Sequence, residues 1–237
     1  MISKEDFIGH CNQLLNKWFA SFEKRRYSES NRIAFQHLAL CRQIVTKRPW
    51  TNAEEQYNTA YITGTLCKGL TEFVNLALVT RDKKWLQDDR KVEKVWKLMW
   101  NCVDRLDFCS GFVQGDGFTR IREVLTDLHD LFLNVFGQGI YMSPEIMIEK
   151  EYCSICKADA RACLHVPGRL YDGKMCSTIP QHPQIRSVSM VIIPQDPRCR
   201  VWPWHMKENK EFHATVMTLF RIDDWLHTQH RPDKLKS

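Results

Sequence analysis

The sequence lacks any apolar run of membrane-spanning length: its best stretch, residues 188–193, falls far short of the ~18–20 residues such a helix needs. It has no Gly-rich phosphate loop, no H-E-x-x-H and no G-x-S-x-G. The best-marked nucleotide-binding, zinc-protease and serine-hydrolase motifs are therefore absent. The opening MISKEDFIGHCNQLLNKWF carries acids early and no continuous apolar core, unlike a secretory signal, so a cytoplasmic protein is expected. There is no internal repeat and no low-complexity tract.

What is present is an ordinary globular composition: 237 residues, 43% hydrophobic and 26% charged, enough for one large domain or two small ones. The net charge of +6, from 34 basic and 28 acidic residues, favours acidic partners. Both signs are interspersed along the chain, which suits a solvated surface first.

Ten cysteines without a secretory signal are not read as a disulfide framework, because the cytosol keeps thiols reduced. Cys11, Cys41, Cys67, Cys102, Cys109 and Cys199 are scattered among apolar neighbours and read as free thiols. Cys153, Cys156, Cys163 and Cys176 instead crowd into 24 residues.

The first ~140 residues read as helices. Ser3 and Thr51 each open a capping-box string, and Leu14, Leu15, Trp18, Phe19 and Phe22 form a helical stripe behind the first. A second helix is expected over residues 30–47, ended by Pro49, and a third from Thr51 toward Leu78. Val92, Val95, Trp96, Met99, Val103 and Leu106 make the clearest apolar face. A last helix follows a turn-rich segment, starting at Thr119 and ending at Gly137 and Gly139. After Ser143-Pro144 cysteine and proline become dense, and residues 187–193 and 198–202 suit strands. Residues 212–225 fit a strand passing into a short helix. The expected fold class is α+β: a helical domain, residues 1–142, then a small zinc-stapled module with a few strands, residues 143–237.

Two thiolates separated by two residues grip one ion because the tight turn between them aims both sulfurs inward. Here Cys153-Ser154-Ile155-Cys156 is followed by Cys163-Leu164-His165 and, past Gly168 and Gly173, by Cys176. A closed zinc site takes four ligands. Five candidates stand here: Cys153, Cys156, Cys163, His165 and Cys176. The glycines let the chain bring Cys176 back, so Cys153, Cys156, His165 and Cys176 are the expected set and Cys163 the expected outsider. Spacing alone does not decide between Cys163 and Cys176. A redox C-x-x-C lacks a surrounding βαβ pattern, and an iron–sulfur cluster leaves His165 unexplained.

The string C-S-I-C, then C-x-H-x-x-G-x-x-Y-x-G-x-x-C, followed by Ser187-Val188-Ser189-Met190-Val191 and Pro194-x-x-Pro197, resembles a cysteine–histidine segment of uncharacterised phage and bacterial proteins. The resemblance covers about residues 150–200. It implies a zinc-binding module, of zinc-finger type, in a prokaryotic or mobile-element protein, and carries no activity with it.

Cys153/Cys156 with His165-Val166-Pro167-Gly168 also resembles an HNH-type nuclease superficially. A histidine that ligates structural zinc cannot serve as general base, and Cys176 lacks a partner two residues on. His205, His213, His227 and His230 beside Asp223-Asp224 allow a second metal site to be imagined, with surface histidines the plainer reading. Trp202-Pro203-Trp204 near Arg198 and Arg200 can stack a base or form local core. Lys83, Lys84, Arg90, Lys91, Lys94 and Lys97 can track phosphates or form a solvated face, diluted by Asp82, Asp88, Asp89 and Glu93. Asp104, Asp107, Asp127 and Asp130 read as polar helix faces. The expected function is a zinc-binding, non-enzymatic interaction protein with no catalytic residues, a structural Zn2+ and a protein partner. A nucleic-acid partner and a degenerate HNH-like nuclease are the alternatives, and no membrane is expected.

Overall fold

In the computed structural model, which describes residues 2–205, the Ser3 hydroxyl accepts the backbone N–H of Asp6 at 3.0 Å and starts α1, Lys4–Glu23. The stripe expected behind that cap buries Leu14, Trp18 and Phe22. Helix α2, Tyr27–Lys47, stops where Arg48 turns left-handed just before Pro49. Helix α3, Glu54–Thr80, is buried on most sides, from Tyr57 through Leu66, Leu70 and Phe73 to Thr80. Such an all-round apolar helix belongs at the centre of a bundle. Its start differs from expectation. Thr51 is not the cap; Ala53 is, without a side-chain bond. The turn is fixed instead by Tyr57, whose hydroxyl donates to Trp50 O at 2.6 Å and accepts from Trp50 N at 3.1 Å.

Helix α4, Asp89–Cys109, is capped by Asp88, whose carboxylate accepts from the N–H groups of Arg90 and Lys91. It buries Val92, Val95, Trp96, Met99 and Leu106, the face read from the sequence. Helix α5, Asp116–Phe136, begins three residues before the expected Thr119 and ends at Gly137. Trp18, Phe22 and Phe73 meet on one side of the core, and Trp96, Phe132 and Trp202 on the other.

Seven strands follow among the described residues: β1 Ile140–Met147, β2 Lys150–Cys153, β3 Leu170–Tyr171, β4 Lys174–Met175, β5 Thr178–Gln181, β6 Gln184–Val191 and β7 Arg200–Val201. The fold is α+β, as expected. β6 and β7 are the two extended segments seen in the sequence. The other five strands were not, because they are short or interrupted by proline and polar residues. β1 pairs antiparallel with β6, and β2 with β5. The connections 148–149 and 182–183 join these pairs end to end. The result is one long bent ribbon whose outer end holds the cysteines and the β3–β4 hairpin.

The ribbon is fastened to the helices at both ends. At its base Tyr141 and Trp202 enter the helical core. Arg200 donates to Phe136 O and Gly137 O at 2.9 and 2.8 Å, and its guanidinium lies over Trp96 and Trp202. At its tip Arg48 pairs with Asp172, and the N–H of Gly173 donates to Asn58 Oδ1 at 2.8 Å. The hairpin turn Asp172-Gly173 has both residues at positive φ, the geometry that joins two short strands without splaying them. No described helix is long and apolar enough to cross a membrane.

Candidate metal centre

Strand β2 delivers Cys153 to a tight turn. Lys157 N donates to Cys153 O at 2.9 Å, and Lys157 takes the left-handed conformation, φ +62°. That reversal lets Cys153 and Cys156 face the same point. The N–H of Ile155 donates to Cys153 Sγ at 3.3 Å. On the opposite side the N–H of His165 donates to Cys163 Sγ at 3.2 Å. Backbone donors of this kind stabilise a thiolate and orient it toward a cation.

The donor atoms of Cys153, Cys156, Cys163 and His165 all lie within 4.8 Å of one another. Cys156 Sγ is 3.3 Å from Cys163 Sγ, and Cys163 Sγ is 3.2 Å from His165 Nδ1. Cys176 lies at the edge of the same knot, its sulfur 3.8 Å from that of Cys153. Two thiolates about 2.3 Å from one tetrahedral ion stand about 3.8 Å apart, so these separations fit a metal with small adjustments. The arrangement differs from the expected set. Cys163 sits between Cys156 and His165 rather than outside, and Cys176 approaches the cluster beside Cys153. The reason lies in the hairpin. Gly168 N donates to Cys176 O and Cys176 N to Arg169 O, at 2.9 and 2.8 Å, so this pairing, rather than a free loop, sets where Cys176 stands.

Burial grades across the cluster. Cys153 and Cys176 are buried, Cys163 and His165 partly so, and Cys156 is exposed. His165 packs edge-on against Tyr171, ring centres 4.7 Å apart, and the Tyr171 hydroxyl accepts from Val166 N at 2.9 Å. Tyr171 is thus a positioning residue that spacing alone did not single out. Desolvation opposes charge on Cys153, but donors from the Cys156 and Ile155 backbone and the Cys163 and Cys156 thiols outweigh it and lower its thiol to about 6. Cys163 receives a lowering bond from the His165 backbone, yet desolvation and the Cys156 and Cys153 sulfurs push it up to about 11. The Cys153 thiolate is held ready while Cys163 keeps its proton, which a divalent ion would displace on binding.

The other cysteines behave differently. Cys102 donates to Gly69 O at 3.3 Å and Cys109 to Ile62 O at 3.6 Å. Burial pushes the Cys67 and Cys109 thiols up to about 12 and Cys102 upward as well, as inert core thiols require. Cys11 is partly exposed, and a hydrogen bond from Cys41 lowers it to about 7; Cys199 is exposed.

Several of the remaining sequence features resolve into packing or surface ion pairs. Trp202 and Trp204 stack at 5.0 Å, Trp202 is buried, and Trp204 Nε1 donates to Glu93. Lys91 is paired with Asp82 and Asp88, and Lys97 with Glu93. Asp104 pairs with Arg198 and Asp107 with Arg122. The second histidine-rich site falls outside the described residues, since His213, Asp223, Asp224, His227 and His230 follow residue 205, as does the strand-or-helix segment 212–225. Comparison with protein families, curated proteins and solved structures gives no match to this chain.

Proposed function

We propose that this protein binds one structural zinc ion through Cys153, Cys156, Cys163 and His165, with Cys176 as a fifth thiol abutting the site. The observation that carries the reading is the convergence of those four donor atoms. Three sulfurs and an imidazole suit zinc far better than the hard cations, which take oxygen. The ion would tie the turn after β2 to the hairpin before β5, a segment too poor in apolar residues to hold itself. Reduced thiols suit a cytoplasmic setting.

The purpose of such a tip is non-enzymatic: the strand-rich part, described over residues 143–205, acts as a zinc-braced module carried on the helical part, residues 1–142, and presents a loop-rich surface to a protein partner. The resemblance to phage and bacterial segments points to an accessory subunit of that origin. A nuclease reading is disfavoured because His165 Nδ1 lies 3.2 Å from Cys163 Sγ, among the candidate metal ligands, and an imidazole bound to a structural ion cannot serve as general base. One feature favours nucleic acid as a second reading: an open groove on α4 lined by Arg90, Lys94 and Lys97, although Glu93 shares it. A steep fall of partner binding with salt would select that reading, and a shallow one the protein partner.

Elemental analysis of protein never exposed to a metal-charged resin is expected to give about one zinc per chain. Cobalt substitution should give the absorption of a tetrahedral site with thiolate ligands. Fully folded protein with no bound metal would overturn the proposal.

A further inference from the structure

The ribbon of β1 and β6 carries an apolar face that the described residues leave open. Directly opposed residues of an antiparallel pair share a face. Met142 stands opposite Met190, Pro144 opposite Val188 and Ile146 opposite Ile185. All six are apolar and on one side. The other side carries Ser143 opposite Ser189 and Glu145 opposite Ser187, with a hydrogen bond between the last two at 2.8 Å.

The register shift after Glu145 makes this division possible. Continued without a break, the ladder of Met142–Met190 and Pro144–Val188 would set Arg186 opposite Ile146. The bulge sets Ile185 there instead. Arg186 then lies 3.7 Å from Glu145, the acid of the polar face. A local irregularity thus removes the one charge that would have entered the apolar face. Yet the described residues leave that face uncovered: Met190 is 76% exposed, Ile185 70%, Val188 53%, Met142 52% and Ile146 47%. Exposure of this kind marks an interface.

We propose that this face packs against the same face of a second copy of the chain, making a two-fold dimer of ribbons. The face bears no charged side chain and no side-chain hydrogen-bonding group, so identical copies meet without like-charge repulsion or an unpaired polar group. The same absence argues against a polyanion or a charged peptide, which would need counter-charges here. Edge-to-edge pairing of two β6 strands would leave the apolar side in water, so the copies pack face to face, as sheets in a sandwich do. The exposed apolar side chains amount to on the order of 500 Å² per copy, against about 800 Å² per partner in a standard stable complex. An interface at this low end of the range gives a reversible dimer.

Sedimentation velocity and light scattering on the full chain, over about 1–100 µM, test the proposal. The expected result is a concentration-dependent rise from the 28.0 kDa chain mass toward twice that value. The double variant Ile185→Asp/Met190→Asp should remain monomeric throughout, at least a 100-fold weakening, while Ser189→Asp on the polar face still dimerises. Because misfolding of the double variant would also abolish association, oxidative footprinting of wild-type Met142 and Met190 provides a second reading. Their protection should grow with concentration. A wild-type monomer across the range would overturn the proposal, whether its methionines are bare, shielded by its own residues 206–237, or shielded only on added lipid vesicles. So would a dimer that survives the double variant.

Discussion

A cysteine that ligates a metal and a cysteine that fills a core respond differently to the loss of one sulfur. Cys153→Ser or Cys156→Ser should release the metal and with it the energy that organises the ribbon tip, since structural zinc in small modules is worth on the order of 10 kcal/mol of binding. Cys41→Ser and Cys67→Ser place a hydroxyl in an apolar setting and should cost about 1–3 kcal/mol with metal retained. The check is metal content alongside thermal unfolding of the four variants, and equal behaviour would refute the distinction. Cys163→Ser and Cys176→Ser refine the test: the former should lose the metal and the latter keep it. Five candidate donors were legible in the sequence because spacing and residue type alone mark them. The placing of Cys163 against Cys176 was not. It depends on the hydrogen bonds of Gly168 and Arg169 with Cys176, which no spacing rule contains.

At the scale of elements, the β3–β4 hairpin does more than carry Cys176. Its turn seats the ribbon tip on the start of α3 and the end of α2 through Asn58 and Arg48. Gly173 is required there twice over, by its φ of +76° and because a methyl group would stand 2.9 Å from Tyr57 Cβ and 3.1 Å from Tyr57 O. Gly173→Ala should therefore cost about 1–3 kcal/mol, of which the left-handed backbone alone accounts for roughly 1–2. Chemical denaturation reads the loss. Asn58→Ala removes only one hydrogen bond and should cost about 1 kcal/mol, so a larger effect from Asn58 than from Gly173 would contradict this account. The helices were largely visible in the sequence, because an apolar period of 3.6 runs unbroken through Val92 to Leu106 and Ile121 to Phe132. β1 was hidden, since Ser143, Pro144 and Glu145 interrupt the alternation that marks a strand.

Across the whole molecule, two sources of order meet. The helices share a core of aromatic and aliphatic side chains that includes Tyr141 and Trp202 from the strand-rich part. The ribbon tip has no comparable core: Leu164, Val166 and Ile179 are exposed, and Cys153 and Cys176 are its buried side chains among residues 150–181 together with the backbone at Gly173. Removing the metal should therefore act unevenly. After treatment with a strong chelator, amide hydrogen exchange should quicken over residues 150–181, while α3 and α4 keep their protection and the helical circular dichroism changes little. The base of the ribbon should respond less than the tip, because Arg200 still holds Phe136 and Gly137 and Trp96 still donates to Pro197 O at 2.7 Å. Acid should mimic the chelator, since protons compete with the metal for every thiolate: binding should weaken steadily as the pH falls, the thiol of Cys153, lowered to about 6, being the last to take its proton. Global unfolding on chelation would show that the helices depend on the metal. An unchanged exchange pattern would show that the tip is ordered by its docking at Asn58 and Arg48 alone.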